Sequence, residues 1–375
     1  MLRTCIALLF AFTATFAHAA APQPPVVDGH AWLIADLSSN QILASDNADV
    51  RFEPASLTKL MTAYLVFRAL REKQIALEQP VQVSERAWKA PGSRMFIQPG
   101  MSVTVGQLIQ GMEVDSGNDA CMALAETVAG SEDVFVQMMN REAARLGMKN
   151  THYANVTGLP DPQHYSTAHD IYLLTSALIR DFPAEYAHYY SQKEYSYNRI
   201  TQRNRNRLLW LDPNVDGVKT GHTEAAGYCL VASSKHGERR LLSVLLGAPS
   251  EQARAGESLK LLNWGYQFYD SVKLYDKGQT VKQIQVWKGS EPTVNAGFGS
   301  ALMLSVPKGD SDKLSAQLVS QRPLVAPVAQ GQQVGMLRVT LQGSLLGEYP
   351  LVALEPVTTA GIFGRAWDTL RLWMK

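Results

Sequence analysis

The apolar positions of this 375-residue chain change pattern several times along its length. An uncharged apolar run from Ile6 to Phe16 follows Arg3 and ends at the small-x-small triplet Ala17-His18-Ala19. This is the layout of a secretory leader, since a mature spanning helix needs about 20 apolar residues. Residues 1–19 are therefore expected to be removed on export. Cys5 precedes the apolar run, so it is not placed as a lipid anchor, and no later stretch is long and apolar enough to span a membrane.

From Ala31 the pattern predicts a mixed domain over residues 20–270. Ala31–Asp36 and Gln41–Ala44, joined by Ser38-Ser39-Asn40, read as a hairpin. Ser56 to Leu70 lacks Gly and Pro and has apolar residues at helical spacing, so a helix is expected to start at Ser56. Further helices are expected over Asp119–Glu126, Asp133–Leu146, Ala168–Arg180 and Glu251–Tyr269. A second hairpin joins Gly227–Ser234 to Arg240–Leu246. Strands at both ends with helices between them suggest an α+β fold whose sheet is closed by terminal strands.

After Asp270 short alternating runs take over, among them Val281–Trp287, Ala301–Val306 and Gly335–Leu341. Residues 271–357 are expected to form a small all-β domain. Residues 358–375 return to helical spacing: Phe363, Ala366, Trp367, Leu370, Trp373 and Met374 share one face, against Arg365, Asp368, Arg371 and Lys375. This segment is too short and charged to span a bilayer. It suits a helix lying in the headgroup region, the alternative being a helix packed back on the β domain.

Composition narrows the function classes. With 46% hydrophobic residues, 18% charged and a net charge of +1, disorder and a nucleic-acid-coating role are excluded. Three cysteines are too few for a disulfide framework, so Cys121 and Cys229 are expected as buried free thiols. The eight histidines include no H-E-x-x-H and no Cys/His cluster, and no glycine loop for phosphates occurs. No metal and no cofactor are expected.

Three short motifs occur in a meaningful order: Ser56-Leu57-Thr58-Lys59, Ser116-Gly117-Asn118 and Lys219-Thr220-Gly221. At i and i+3 on a helix, Lys59 can reach the Ser56 hydroxyl. A serine at a helix start also has free backbone N–H groups beside it. Ser116 offers a second hydroxyl for proton transfer, and Asn118 an amide. Gly221 removes bulk so that a substrate can lie along the strand edge, with Lys219 and Thr220 supplying a cation and a hydroxyl. Singly these motifs are weak, since the first two each arise about once by chance in such a chain. Ser305–Lys308 also matches S-x-x-K, but Pro307 interrupts it, and Ser38–Asn40 matches S-x-N only in a hairpin turn. Ser196–Asn198 lies in the permitted interval and is not dismissed on order alone. Taken separately, Ser56 reads as an N-cap, Lys59 as a solvated helix lysine and Arg205 as part of a polar face.

Longer stretches around the motifs carry a resemblance. Pro54–Thr62, Ser116–Cys121, Leu146–His152, Asn204–Asn206, Val215–Thr223 and Ala226–Tyr228 are similar to low-molecular-mass penicillin-binding proteins. The likeness is to the serine-type D-alanyl-D-alanine carboxypeptidases that include penicillin-binding proteins 5 and 6. It implies a transpeptidase/β-lactamase-like catalytic domain, a β-rich second domain and a C-terminal membrane helix. It further implies that Ser56 attacks the amide between two D-alanines at the end of a peptidoglycan stem peptide. Lys59 would be the general base, its proton affinity lowered by Lys219. Ser116 would pass a proton to the departing D-alanine, and Asn118 would orient substrate and Lys59. The backbone N–H groups of Ser56 and His222 would hold the oxyanion, and Thr220 with Arg254, or failing that Arg205, the terminal carboxylate. β-Lactams would acylate the same serine. The protein would sit in the periplasm, peripherally attached to the outer face of the inner membrane.

Three other functions compete with this reading. A class A β-lactamase needs a glutamate to activate the deacylating water, and Tyr153–Asp170 contains none. A non-catalytic penicillin sensor is disfavoured by retention of every catalytic-type residue. An endopeptidase acting on cross-links stays open.

Overall fold

A computed structural model describes residues 22–319, 323–362 and 367–368. The expected leader lies outside the described residues, as does most of the expected C-terminal amphipathic face.

The first hairpin forms over Ala31–Asp36 and Gln41–Asp46, and the second over Gly227–His236 and Arg239–Ala248. With Val215–Thr223 they make one five-stranded antiparallel sheet. Its order is 41–46, 31–36, 239–248, 227–236, 215–223, so the first and last segments of the domain are woven together. Val215–Thr223 stands at one edge, which leaves alternate backbone groups of the Lys-Thr-Gly strand unpaired by the sheet.

Each sheet face has its own apolar core. On one face Ile34, Leu230, Ala232 and Leu245 meet Leu261, Leu262 and Trp264 of the helix Glu251–Phe268. On the other, Leu33, Val231 and Val244 join a larger core with the helices Lys59–Arg71, Val105–Glu113, Asn118–Ala129, Glu132–Arg145 and Ala168–Asp181. The sheet alternation puts successive residues into opposite cores, which fixes its register. Sequence periodicity did not mark Val105–Glu113, nor the hairpin of Glu194–Tyr197 with Ile200–Arg203.

The expected helix start is corrected. Ala55–Thr58 form a 3₁₀ turn and the α-helix begins at Lys59. Ala55 has a left-handed φ of 48°, so the chain enters this turn sharply, and Ser56 caps nothing with its side chain. Pro54 precedes the turn, Leu57 is buried within it, and Leu60 is buried in the first turn of the helix that follows.

Beyond Phe268 the chain passes directly into the strand Tyr269–Tyr275, paired with Leu302–Pro307. A six-stranded sheet follows, containing Thr280–Trp287 and Gln333–Leu341 where alternation predicted strands. This β-rich region has its own core, including Val294, Leu304, Val339 and Leu351. It is fastened to the first hairpin through Ser305. The Ser305 hydroxyl donates to Asp36 Oδ2 at 2.8 Å, its N–H donates to Gln41 Oε1 at 2.7 Å, and Arg239 holds the same Asp36 oxygen at 2.7 Å. Ser305, the decoy serine, is thus a docking residue with no nucleophilic partner.

Candidate active site

The three motifs converge. Lys59 is fully buried, and its Nζ lies 3.0 Å from Ser56 Oγ, 2.6 Å from Asn118 Oδ1 and 3.0 Å from the Thr157 carbonyl. Asn118 is fixed in turn, because its Nδ2 donates to the Pro91 carbonyl at 2.6 Å and its N–H to the Ser93 carbonyl at 2.7 Å. Its Oδ1 must therefore face Lys59. A neutral amine has two N–H bonds and one lone pair. Two carbonyl-type oxygens absorb the N–H bonds, which leaves the lone pair for the Ser56 hydroxyl proton.

Burial, more than any neighbouring charge, brings the Lys59 ammonium down to about 8. Arg205 pushes the same way, while Cys121, Glu113 and Asp119 oppose it. Repulsion between Lys59 and Lys219 is mutual, and Lys219 is depressed as well. Burial brings that ammonium down to about 7, with Lys59, Arg205 and Arg254 adding to the effect and Glu113 opposing it.

Ser116 sits at a left-handed φ of 57°, just before the helix Asn118–Ala129. Such a conformation in a non-glycine residue costs about 1–3 kcal/mol and persists only where the surroundings enforce it. Its hydroxyl is buried and makes no hydrogen bond among the described residues.

Gly221 packs closely against the nucleophile turn. A Cβ there would lie 3.1 Å from the Pro54 carbonyl, 3.2 Å from Ala55 Cβ and 3.3 Å from Ser56 N. The missing side chain lets the strand press against the nucleophile turn. Arg254 is 3% exposed, beneath the strand, with Nη1 3.5 Å from the Gly221 carbonyl and Nη2 3.2 Å from the Arg205 carbonyl. Arg205 is more open, and its Nη1 donates to Ser93 Oγ at 2.8 Å. His222 is exposed and its ring lies against Tyr228, with centroids 4.2 Å apart. Ser196, the alternative S-x-N serine, bonds Thr201 across a hairpin and touches none of these groups. Cys121 and Cys229 are buried free thiols, and Cys121 donates to the Val156 carbonyl.

Several supporting residues escaped the sequence reading. Asp119 gathers the N–H groups of Met95, Phe96 and Ile97 at 2.8, 2.8 and 3.2 Å, tying the loop that carries Ser93 to the Asn118 helix. A carboxylate in the first turn of a helix was the available signal. Thr58 Oγ1 bonds His164 Nε2 at 2.7 Å, which braces the nucleophile turn from behind, and burial keeps that imidazole neutral by lowering it to about 4. Among the described residues, no group of His, Cys, Asp and Glu could hold a metal ion.

A serine met by a buried lysine, on a five-stranded antiparallel sheet flanked by helices, defines the class: a serine hydrolase of transpeptidase-like fold. Comparison with known proteins supplies the family. Residues 18–250 match the D-alanyl-D-alanine carboxypeptidase family, and residues 269–359 match the C-terminal domain of penicillin-binding protein 5. D-alanyl-D-alanine carboxypeptidase DacC of Escherichia coli K12 is 44% identical over 96% of this chain and 92% of its own length. The crystal structure of penicillin-binding protein 5 from Haemophilus influenzae is 38% identical, with a TM-score of 0.85 over 90% of this chain and 99% of that one. Penicillin-binding protein D2 of Listeria monocytogenes, solved in its ampicillin-bound form, is 28% identical with a TM-score of 0.60 over 65% of this chain and all of that one. The chain belongs to the D-alanyl-D-alanine carboxypeptidase family and is a serine hydrolase of that activity.

Proposed function

We propose that Ser56 is the nucleophile and Lys59 its general base, in a reaction that removes the terminal D-alanine from peptidoglycan stem pentapeptides. The observation that carries this reading is the Lys59 amine, buried and 3.0 Å from Ser56 Oγ with its other two directions occupied. Ser56 Oγ attacks the D-alanyl carbonyl carbon as its proton passes to Lys59. The developing oxyanion sits between the N–H groups of Ser56 and His222, where each such donor is worth about 3 kcal/mol. Collapse breaks the C–N bond: the Ser116 hydroxyl hands its proton to the departing D-alanine nitrogen and takes the proton held by Lys59, which returns the lysine to its neutral amine. Lys219, Thr220 and Arg254, with Arg205 beside them, hold the terminal carboxylate. The loose 3.5 Å contact of Arg254 with the Gly221 carbonyl can yield to that stronger acceptor.

Water then attacks the acyl-enzyme, and Lys59 again receives the proton. The carbonyl facing Lys59 from the 154–167 segment is that of Thr157, and that segment carries no glutamate. With no glutamate there to activate water as in a class A β-lactamase, a β-lactam acyl-enzyme should be long-lived. Residues 20–270 form the catalytic unit and 271–357 a spacer. The chain is exported and held at the outer face of the inner membrane by the amphipathic segment 358–375, which suits a substrate anchored in the wall.

Ser56→Ala tests the reading. It should abolish both D-alanine release and covalent penicillin labelling while leaving the circular dichroism spectrum unchanged. Persistent labelling of the variant would overturn the assignment.

A further inference from the structure

Residues 199–207 read Arg-Ile-Thr-Gln-Arg-Asn-Arg-Asn-Arg, four guanidinium groups and no carboxylate, in a chain whose net charge is only +1. The fold turns this run into a ridge. Gln202, Asn204 and Asn206 hold it to the domain. Gln202 Nε2 donates to the Arg94 carbonyl at 2.8 Å, Asn204 Nδ2 to the Gln192 carbonyl at 3.0 Å and Asn206 Nδ2 to the Gly217 carbonyl at 3.0 Å. Asn204 and Asn206 are buried, whereas Arg203, Arg205 and Arg207, which alternate with them, are exposed. Arg199 is exposed at the tip of the hairpin that Glu194–Tyr197 makes with Ile200–Arg203.

The outer arginines are not neutralised by the protein. The side chains of Arg199, Arg203 and Arg207 make no ion pair or hydrogen bond among the described residues, although Glu194 stands opposite Arg203 in the hairpin register. Like charges at alternate positions of one face repel each other, and an anion lying along them relieves that repulsion. A guanidinium fork matches a carboxylate through two parallel hydrogen bonds.

The place of the ridge selects the anion. Arg205 reaches Ser93 Oγ at 2.8 Å and its carbonyl accepts from Arg254 at 3.2 Å, so the ridge meets the rim of the reaction cleft. Arg205 lies beside the terminal carboxylate of the peptide being cleaved, and that peptide ends there. Whatever covers the arginines on either side belongs to another peptide. The polymer itself supplies one, because stem peptides repeat along a glycan strand and each carries carboxylates. We propose that Arg199, Arg203 and Arg207 are a docking ridge for the carboxylates of neighbouring stem peptides, held while Ser56 works on one of them. The proposal rests on the peptidoglycan reading above. An anionic bilayer is the wrong occupant, since seated along Arg205 it would cover the rim by which substrate enters.

Binding is measured on full-length Ser56→Ala, which leaves the polymer uncut, by co-sedimentation with lipid-free peptidoglycan sacculi. Adding Arg203→Gln and Arg207→Gln, both at exposed positions, should weaken binding about tenfold at low ionic strength. The difference should close at about 1 M salt, where charges are screened within a few ångströms. Arg203→Lys with Arg207→Lys keeps the charge and should keep most of the binding. Sacculi whose carboxylates have been amidated should bind the parent as weakly as intact sacculi bind the Gln pair. With Ser56 present, the Gln pair should slow D-alanine release from sacculi about tenfold, yet leave kcat/KM for a soluble D-Ala-D-Ala peptide within about twofold. Parental binding of the Gln pair to intact sacculi would make the ridge a solvated face and overturn the proposal, as would a Lys pair no better than the Gln pair. So would undiminished binding of the parent to amidated sacculi. An equal loss on the soluble peptide would refer the ridge to the terminal carboxylate, and an equal loss of binding to anionic phospholipid vesicles would refer it to lipid; either sinks the idea. Failure of the Ser56 reading is distinguishable, because it appears as penicillin labelling of Ser56→Ala whatever binds the sacculi.

Discussion

Asn118 Oδ1 lies closer to Lys59 Nζ, at 2.6 Å, than Ser56 Oγ does at 3.0 Å. The amide is therefore the tighter hold on the base. Asn118→Asp keeps the shape but sets an anion beside Nζ, which should raise the lysine by about one to three pH units. At pH 7 the neutral amine would become roughly 10- to 1000-fold scarcer. Penicillin acylation should slow in proportion and its acid limb should move up in pH. An unchanged limb would show that Lys59 is not the titrating base.

The parental enzyme should already show this titration. With Lys59 near 8, acylation should fall about tenfold for each unit of pH below that value. The same group affects stability. Its folded value lies below the ordinary 10.5, so between about 8 and 10.5 the unfolded chain binds the extra proton. Stability contributed by this group therefore rises with pH through that window. Lys59→Met should remove this slope, read as the difference in Tm between variant and parent from pH 7 to 10.

Gly158 sets the position of the nucleophile from outside the motifs. It has φ +85°, and a Cβ there would fall 1.8 Å from the Ala55 carbonyl oxygen, which is backbone and cannot swing aside. Gly158→Ala should push the turn carrying Ser56 out of line with Lys59. Displacement of about 1 Å costs on the order of a hundredfold in rate, so acylation should fall by about that much. Near-parental acylation would mean that the turn can relax without moving Oγ.

The two arginines separate by kinetics. Arg254→Ala removes a guanidinium beneath the Lys-Thr-Gly strand and should raise KM for a D-Ala-D-Ala peptide about 10- to 100-fold, while penicillin still labels Ser56. Arg205→Ala should have the smaller effect. The reverse order would make Arg205 the carboxylate ligand and Arg254 a brace for the two carbonyls it contacts.

Much of this site was legible because its chemistry is local in sequence. Ser56 and Lys59 are three residues apart, Ser116 and Asn118 two, and the hairpins that build the sheet announce themselves by alternation and turn residues. What the sequence concealed is long-range or backbone-borne. The Thr157 carbonyl reaches Lys59 across 98 residues and has no side-chain signature. Gly158 is one of 27 glycines, and its φ and its approach to Ala55 exist only once the fold has formed. Glu113 lies in a helix that periodicity missed, and a buried carboxylate cannot be told from a solvated one by type. Ser56–Thr58 reads as the start of the helix because a 3₁₀ turn and an α-helix share nearly the same apolar spacing over so few residues.

The C-terminal segment gives the last prediction. The β-rich region pairs Thr359 with Gly289, and Ala360 N–H donates to the Lys288 carbonyl at 2.8 Å. Those residues belong to the fold, so a truncation meant to release the anchor should begin after Ala360. Beyond it, Ile362 and Trp367 are exposed, Trp367 by 62%, although Asp368 Oδ2 accepts from Lys288 N–H at 2.6 Å. That bond tethers one residue of the polar side to the β region and leaves the tryptophan outward, the orientation an interfacial helix needs. Deleting residues 361–375 should move active, penicillin-labelled enzyme from the membrane pellet to the soluble fraction with its Tm within a few degrees of the parent. Trp367→Ala alone should weaken binding to anionic vesicles without affecting catalysis. If the truncated chain still sediments with membranes, attachment resides elsewhere. If it loses its cooperative transition, the segment is part of the β-rich fold and no anchor.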